Sequence, residues 1–321
     1  MTKTAIIKAF GTAATRYDGA AGLQRQVAQD LANRIAALPL ASNPKILEIG
    51  CGTGFLGRAL APLLGEAQWV CTDIAAAMVA QARTALPARQ SGEAISHPSP
   101  LMGEGLGGGD APAKLSIRAD SGNAAASPPP RSSPIKGEEA PNHKKLSLHP
   151  IALAMPAATR FAVMDGEAPC FAPGAGFDLI CGNLAMQWFR NPARSLPGLA
   201  ALLRPGGYLV FSTLGDQSFR EWRRAMQAHD LFPGTTAYPS AKAWHDFLPS
   251  GGSSSIAETL IAVPHETALG FLKELKQIGA GTPDPGYGQL GAGRLRRVLH
   301  GIAEPFTATY HLVFATYRAP S

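Results

Sequence analysis

This chain is short of charge, of aromatic side chains and of cysteine. Only 16% of its 321 residues are charged and 7% are aromatic. A net charge of +6 is mild. It lacks the dense Lys/Arg usage that nucleic-acid binding rests on, and it leaves room only for weak attraction to an acidic partner. The four cysteines, Cys51, Cys71, Cys170 and Cys181, are scattered and lack the spacing of a metal site. They are expected to act as small hydrophobes in a reducing, cytoplasmic compartment. No apolar run is long enough for a signal peptide or a membrane span, so no membrane partner is expected. What the chain does have is 45% hydrophobic residues, 35 glycines and 27 prolines. That hydrophobic content supports a single large core.

The stretch that organises the chain is Lys45 to Gly57, KILEIGCGTGFLG. An apolar run ends in alternating glycines, Gly50, Gly52 and Gly54, and a helix-compatible run follows. The pattern predicts strand, tight turn, helix, with backbone N–H groups facing a polar ligand. Gly52 to Gly57 matches G-x-G-x-x-G, the dinucleotide fingerprint. One step earlier, Glu48 to Gly54 reads E-x-G-x-G-x-G and resembles the first motif of class I S-adenosylmethionine methyltransferases. That donor has no pyrophosphate, so an acidic residue such as Glu48 can serve its amino acid moiety. Asp73 closes the next apolar run and is placed to accept both ribose hydroxyls.

Elsewhere, residues 6–38 have helical periodicity, with breaks expected at Gly11 and Gly19. Tyr17 between them reads either as core or as a lid over the cofactor. A helix is expected from Ala75 to Leu86, with Met78 facing an adenine ring or filling core. Strands are expected near 67–73, 159–165, 177–183, 208–213 and 307–317, with helices near 193–203, 219–232, 269–281 and 291–302. This alternation predicts a doubly wound α/β sheet. Residues 88–158 are rich in Gly, Pro, Ser and charge, with no apolar period. They read as an insertion in a single domain, disordered or looped, on the face opposite the ligand. Its segments MGEGLGGG and PPPRSSPIKGE are roughly what a DNA element and its reverse complement would encode, which suggests a captured inverted repeat.

KAFGTAATRYDGAAGLQRQVAQDLA, LEIGCGTG, FDLICGNLAMQWF, LLRPGGYLVFSTLG, LKQIGAG and ATYHLVFA occur in this order. Together they resemble the malonyl-[acyl-carrier-protein] O-methyltransferases of biotin synthesis, over nearly the whole chain outside 88–158. The resemblance implies a Rossmann-like seven-stranded sheet, mostly parallel with an antiparallel last strand, under a helical lid. It implies S-adenosylmethionine as cofactor and a malonyl thioester, on an acidic carrier protein or coenzyme A, as substrate. Gly50, Gly52, Gly54, Asp73, Asp165 and Asn183 would contact the cofactor, and Tyr17 would lie near the methyl group. Glu48, Ile74, Met78, Gly166 and Gln187 complete the candidate set.

A carboxyl group with a pKa of about 4 is already ionised at neutral pH, so the implied reaction needs no general base. A guanidinium is expected to orient that carboxylate, with Arg220, Arg223 and Arg224 as candidates. Arg294, Arg296 and Arg297 are expected to face the carrier. The alternatives are a methyltransferase acting on another small molecule, a related arginine hydroxylase, a non-catalytic paralog, or a dehydrogenase built on Tyr238-Pro239-Ser240-Ala241-Lys242. Pro239 argues against that last one, because it suits a helix start better than a helix interior.

Overall fold

The computed structural model describes residues 2–64, 66–86, 159–281 and 290–321. The proposed insertion, 88–158, lies outside them. Three helices open the chain: α1 (Lys3–Ala13), α2 (Tyr17–Ala20) and α3 (Gly22–Ala36). The breaks fall around residue 15 and at Ala21, not at the glycines, because Gly11 and Gly19 are both taken up inside helices. Buried Leu23, Val27, Leu31 and Ile35 repeat every four residues along α3, and this stripe lies on the sheet.

The alternation then follows as β1 (Lys45–Ile49), α4 (Phe55–Leu64), β2 (Gln68–Asp73), α5 (Ala76–Ala85), β3 (Arg160–Val163) and β4 (Phe177–Asn183). A single 3₁₀ turn (Met186–Trp188) precedes α6 (Pro192–Ala200), β5 (Leu203–Leu214) and α7 (Arg220–Gln227). The chain continues through α8 (Ala241–Asp246), β6 (Ser253–His265), α9 (Ala268–Gln277), α10 (Ala292–His300) and β7 (Phe306–Arg318).

The seven strands order as β3-β2-β1-β4-β5-β7-β6. β1 to β5 pair in parallel, and β7 runs antiparallel to both of its neighbours. Strand order reverses between β1 and β4, so the crevice at their carboxyl ends is where such a sheet takes a ligand. Side chains alternate between two cores, as a period of two requires. Ile46, Leu179, Cys181, Tyr208, Val210 and Leu312 face one layer. Leu47, Ile180, Leu209, Phe211 and Val313 face the other.

Two elements were not expected from the sequence. β6 is an edge strand of mixed exposure, carrying Ser, Glu and Pro264, and it pairs with β7 along its whole length. Pro is tolerated there because an edge strand has a side without ladder bonds. α8 is only six residues long, capped by Ser240 Oγ accepting from Ala243 N at 3.2 Å. Its Trp244 is 1% exposed, meets Phe211 edge-on at 6.0 Å, and donates from Nε1 to Leu214 O at 3.1 Å. Trp244→Ala should therefore cost about 3–5 kcal/mol, read as a loss in denaturant midpoint without a change in slope. A loss below about 1 kcal/mol would show that this short helix is not part of the core.

Candidate active site

The carboxyl ends of β1, β2, β3 and β4 converge on a cavity bordered by Gly50, Gly52, Asp73, Asp165 and Asn183. Three glycines let the strand ends and turns close in beside Ile49 and Ala185. A Cβ at Gly50 would fall 2.5 Å from Ala185 Cβ, one at Gly166 would fall 2.4 Å from Ile49 Cγ2, and one at Gly182 would fall 2.8 Å from Ile49 O. Gly52 differs. It has φ +54, a Cβ there would meet nothing within 4 Å, and it lines the cavity. A ligand can approach bare backbone there.

Asp73 sits at the end of β2 with its carboxylate held by backbone. Gly52 N donates to Oδ2 at 3.0 Å and Ala75 N to Oδ1 at 2.8 Å. Burial pushes its pKa up, and N–H donors from Ala75, Gly52 and Ile74 oppose the rise. Each oxygen keeps a lone pair, which suits two vicinal hydroxyls. Ile74, Met78, Asn183 and Tyr17 also border this cavity. Asn183 is pinned at both ends, donating to Gln24 O at 3.0 Å and accepting from Ser212 Oγ at 2.7 Å. Asp165 borders it too, ion-paired with Lys3, whose Nζ also reaches Glu167 at 2.9 Å. Helix α1 thus spans the mouth, with Ile6 and Phe10 facing in.

The remaining candidates sit elsewhere. Glu48 is sealed behind the turn, accepting from Trp69 Nε1 at 3.2 Å and Cys71 Sγ at 3.6 Å. Gly54 packs on Leu86, 2.5 Å from where its Cβ would be. Gln187 borders a second cavity. That chamber shares Phe10, Tyr17, Leu184 and Trp188 with the first, so these four form the seam between them. At the seam, Phe10 and Trp188 meet edge-on at 5.2 Å. Leu184 holds φ +50 there, its N–H fixed by Ser212 O and Oγ, both at 3.0 Å. A strained non-glycine backbone held this firmly is typical of ligand clamps.

None of Arg220, Arg223 and Arg224 lines either cavity. Arg220 pairs with Glu221 at 3.0 Å and Arg223 donates to the Asp216 carbonyl. Tyr238 lies outside α8 while Lys242 lies within it, paired with Asp246 at 2.6 Å. The dehydrogenase pair is therefore not assembled. Among the described residues no group of three or more His, Cys, Asp or Glu is placed to hold a metal ion, and no helix is long and apolar enough to cross a membrane.

Lys3, Phe10, Glu167, Leu184 and Trp188 join the site without having stood out in the sequence. Their signals in the sequence were the helical spacing of Ile6 and Phe10 and the segments KAFGTAATRY and NLAMQWF, which carry Phe10, Leu184 and Trp188.

The fold and paired cavities define a class. Residues 22–252 match the family described as a methyltransferase domain. The chain is 32% identical over 97% of its length to the malonyl-[acyl-carrier protein] O-methyltransferase of Magnetococcus marinus, covering 90% of that protein. It is 34% identical over 98% of its length to the biotin biosynthesis bifunctional protein BioCD of Bordetella avium, of which it spans about half, 52%. The YcgJ structure from Bacillus subtilis shares the fold, with a TM-score of 0.51 at 12% identity, covering 91% of this chain and 98% of that one. The chain belongs to the malonyl-[acyl-carrier protein] O-methyltransferase family.

Burial raises the Glu48 carboxyl from its ordinary 4.5 to about 7, while hydrogen bonds from Cys71 and Trp69 oppose the rise. The unfolded chain ionises near 4.5 and the folded chain only near 7, so the stabilising contribution is full below the first value. It is lost as pH rises through the second, by an amount on the order of 3 kcal/mol. Glu48→Gln should therefore melt above the parent at pH 8 by more than it does at pH 5. An equal difference at both pH values would contradict this.

Proposed function

We propose that this chain transfers the methyl group of S-adenosylmethionine to the free carboxylate of a malonyl thioester, an early step of biotin synthesis. The observation that carries the reading is the pair of cavities joined at Phe10, Tyr17, Leu184 and Trp188 in a chain of this family. When bound, S-adenosylmethionine supplies a methyl carbon made electrophilic by a sulfonium sulfur. Asp73 would hold the ribose hydroxyls, Gly52 would offer open backbone, and Asp165 would lie at the far end of the pocket, where Lys3 now pairs with it.

The residues at the seam serve alignment. The acceptor oxygen and the methyl carbon have to meet in line, and wedging both partners between Leu184, Tyr17 and Trp188 supplies that. Helix α1 keeps water from the reacting charges. Tyr17 does not compete as an acceptor, because burial and the Asp73 carboxylate both push its phenol pKa upward. The reading needs no general base. Incubation with a malonyl thioester and S-adenosylmethionine should yield the methyl ester, identified by product mass. Binding of the cofactor without ester formation would overturn the reading.

Three further features belong to the same proposal. Residues 88–158 interrupt one catalytic domain, the reaction takes place in the cytoplasm, and the thioester arrives on an acidic carrier protein. Arg294, Arg296 and Arg297 are exposed on α10. The His229 ring, just after α7, lies close to Gly301, just after α10. Such a surface raises the encounter rate with an acidic partner and weakens with salt. The triple variant R294E, R296E and R297E should lower kcat/KM for carrier-borne malonyl by about tenfold at low ionic strength. It should leave malonyl-pantetheine, which has no carrier, unaffected. Equal losses on both substrates would remove this docking role.

A further inference from the structure

The second cavity has an unexpected chemistry for a chamber meant to take an anion. Its described wall contains no charged side chain. Its polar side-chain groups are the phenols of Tyr17, Tyr238 and Tyr310, the carboxamides of Gln24 and Gln187 and the indole N–H of Trp188. Gln187 is already engaged, donating to Leu184 O at 2.7 Å and accepting from Thr213 Oγ1 at 3.2 Å.

Tyr238 and Tyr310 are arranged as a pair. Both meet the Phe219 ring edge-on, at 6.1 and 4.9 Å. Phe219 itself holds a left-handed backbone, φ +59, fixed by its N–H to Thr309 O at 2.7 Å. The two tyrosine hydroxyls make no hydrogen bond to another described residue. They are also not sealed away, because the buried side-chain atoms without a partner are Thr235 Oγ1 and His265 Nε2. Unpaired hydroxyls that are not sealed border open space, and the chamber is the space these two residues line.

We propose that the carboxylate of the methyl acceptor is oriented in this chamber by the uncharged hydroxyls of Tyr238 and Tyr310, with no guanidinium in contact with it. The proposal rests on the malonyl reading above and specifies how that substrate is held. In the reaction a carboxylate oxygen lone pair forms the new O–C bond while the C–S bonding pair returns to sulfur, and no proton moves. The carboxylate therefore loses negative charge on the way to the transition state. A guanidinium would attract the full charge of the reactant more than the reduced charge of the transition state, which raises the barrier. In a water-poor chamber that penalty is large.

Neutral donors fix the direction of the carboxylate with a much smaller bias toward the reactant. They also release the product readily, since an ester accepts weaker hydrogen bonds than an anion. Burial pushes both phenols above their ordinary pKa, so they remain donors across the working range. The same two hydroxyls select against acyl thioesters that lack the carboxylate, because those would leave the hydroxyls unpaired.

The test uses the full chain with Y238F, Y310F and the double variant, alongside R223A, the arginine whose charge is felt at Tyr238. Steady-state methylation of malonyl-pantetheine is measured together with binding of malonyl- and acetyl-pantetheine in the presence of S-adenosylhomocysteine. Each single Tyr→Phe variant should lower kcat/KM by about tenfold or more, and the double variant by roughly a hundredfold. The preference for malonyl over acetyl should collapse in the double variant, while S-adenosylhomocysteine affinity stays within about twofold of the parent.

Phe variants within about twofold of the parent, or a larger loss in R223A than in either, would overturn the proposal in favour of a guanidinium grip. Tyr238 is only half-buried, so Y238F keeps the test decisive even where Y310F fails to fold. A parent chain that binds S-adenosylhomocysteine but methylates no malonyl thioester would sink the functional reading itself, and this proposal with it. Failure confined to the Phe variants of an active parent counts against this proposal alone.

Discussion

The site depends on how closely backbone crowds around Ile49. The turns after β1 and β3 and the end of β4 crowd together here, and each contributes a glycine where any Cβ would collide, at Gly166 and Gly182 with Ile49 and at Gly50 with Ala185. A methyl group at Gly50, Gly166 or Gly182 would force those segments apart, and the strand ends would no longer converge. Close packing makes this contact all-or-none, because interiors lack the slack to absorb an atom. The cavity is therefore a product of backbone approach. The side chains that decorate it, such as Asp73 and Asn183, are then held by hydrogen bonds to neighbouring backbone.

From that convergence the two cavities acquire opposite electrostatic characters. The first is rimmed by Asp73, Asp165 and Glu167, with Lys3 as a partner for the last two. The second has no charged side chain in its described wall. An acidic rim suits a cationic donor, and an uncharged chamber suits an anion whose charge is about to be cancelled. The seam of Phe10, Tyr17, Leu184 and Trp188 belongs to both walls and lies between the two environments. The N-terminal helix supplies part of both walls, so lid and site are formed by the same residues.

Much of the fold was legible because it rests on short-range patterns. KILEI followed by alternating glycines announces strand and turn, and TATYHLVFATY announces a final strand by its alternation, its antiparallel sense being implied only by the family resemblance. β6 was hidden because an exposed edge strand need not alternate, and SSSIAETLIAVPH carries little apolar signal. α8 was hidden because six residues are too few for helical periodicity to emerge. In the site, Gly52 and Asp73 stood out through local spacing. Glu48 looked similar in the motif, yet its side chain points to Trp69 and Cys71 behind the turn, because alternate residues of a strand face opposite sides.

The sequence by itself determined the alternation of strands and helices in the parallel half of the sheet, the glycine turn and the acidic end of the second strand, since all of these are encoded within a few residues of one another. Only the tertiary structure decided that Lys3 reaches Asp165, that Phe10 meets Trp188, and that Tyr238 and Tyr310 flank one phenylalanine. Those contacts join residues many positions apart, and their partners are chosen by the packing of helices and loops over the sheet. No local spacing in the chain records that choice.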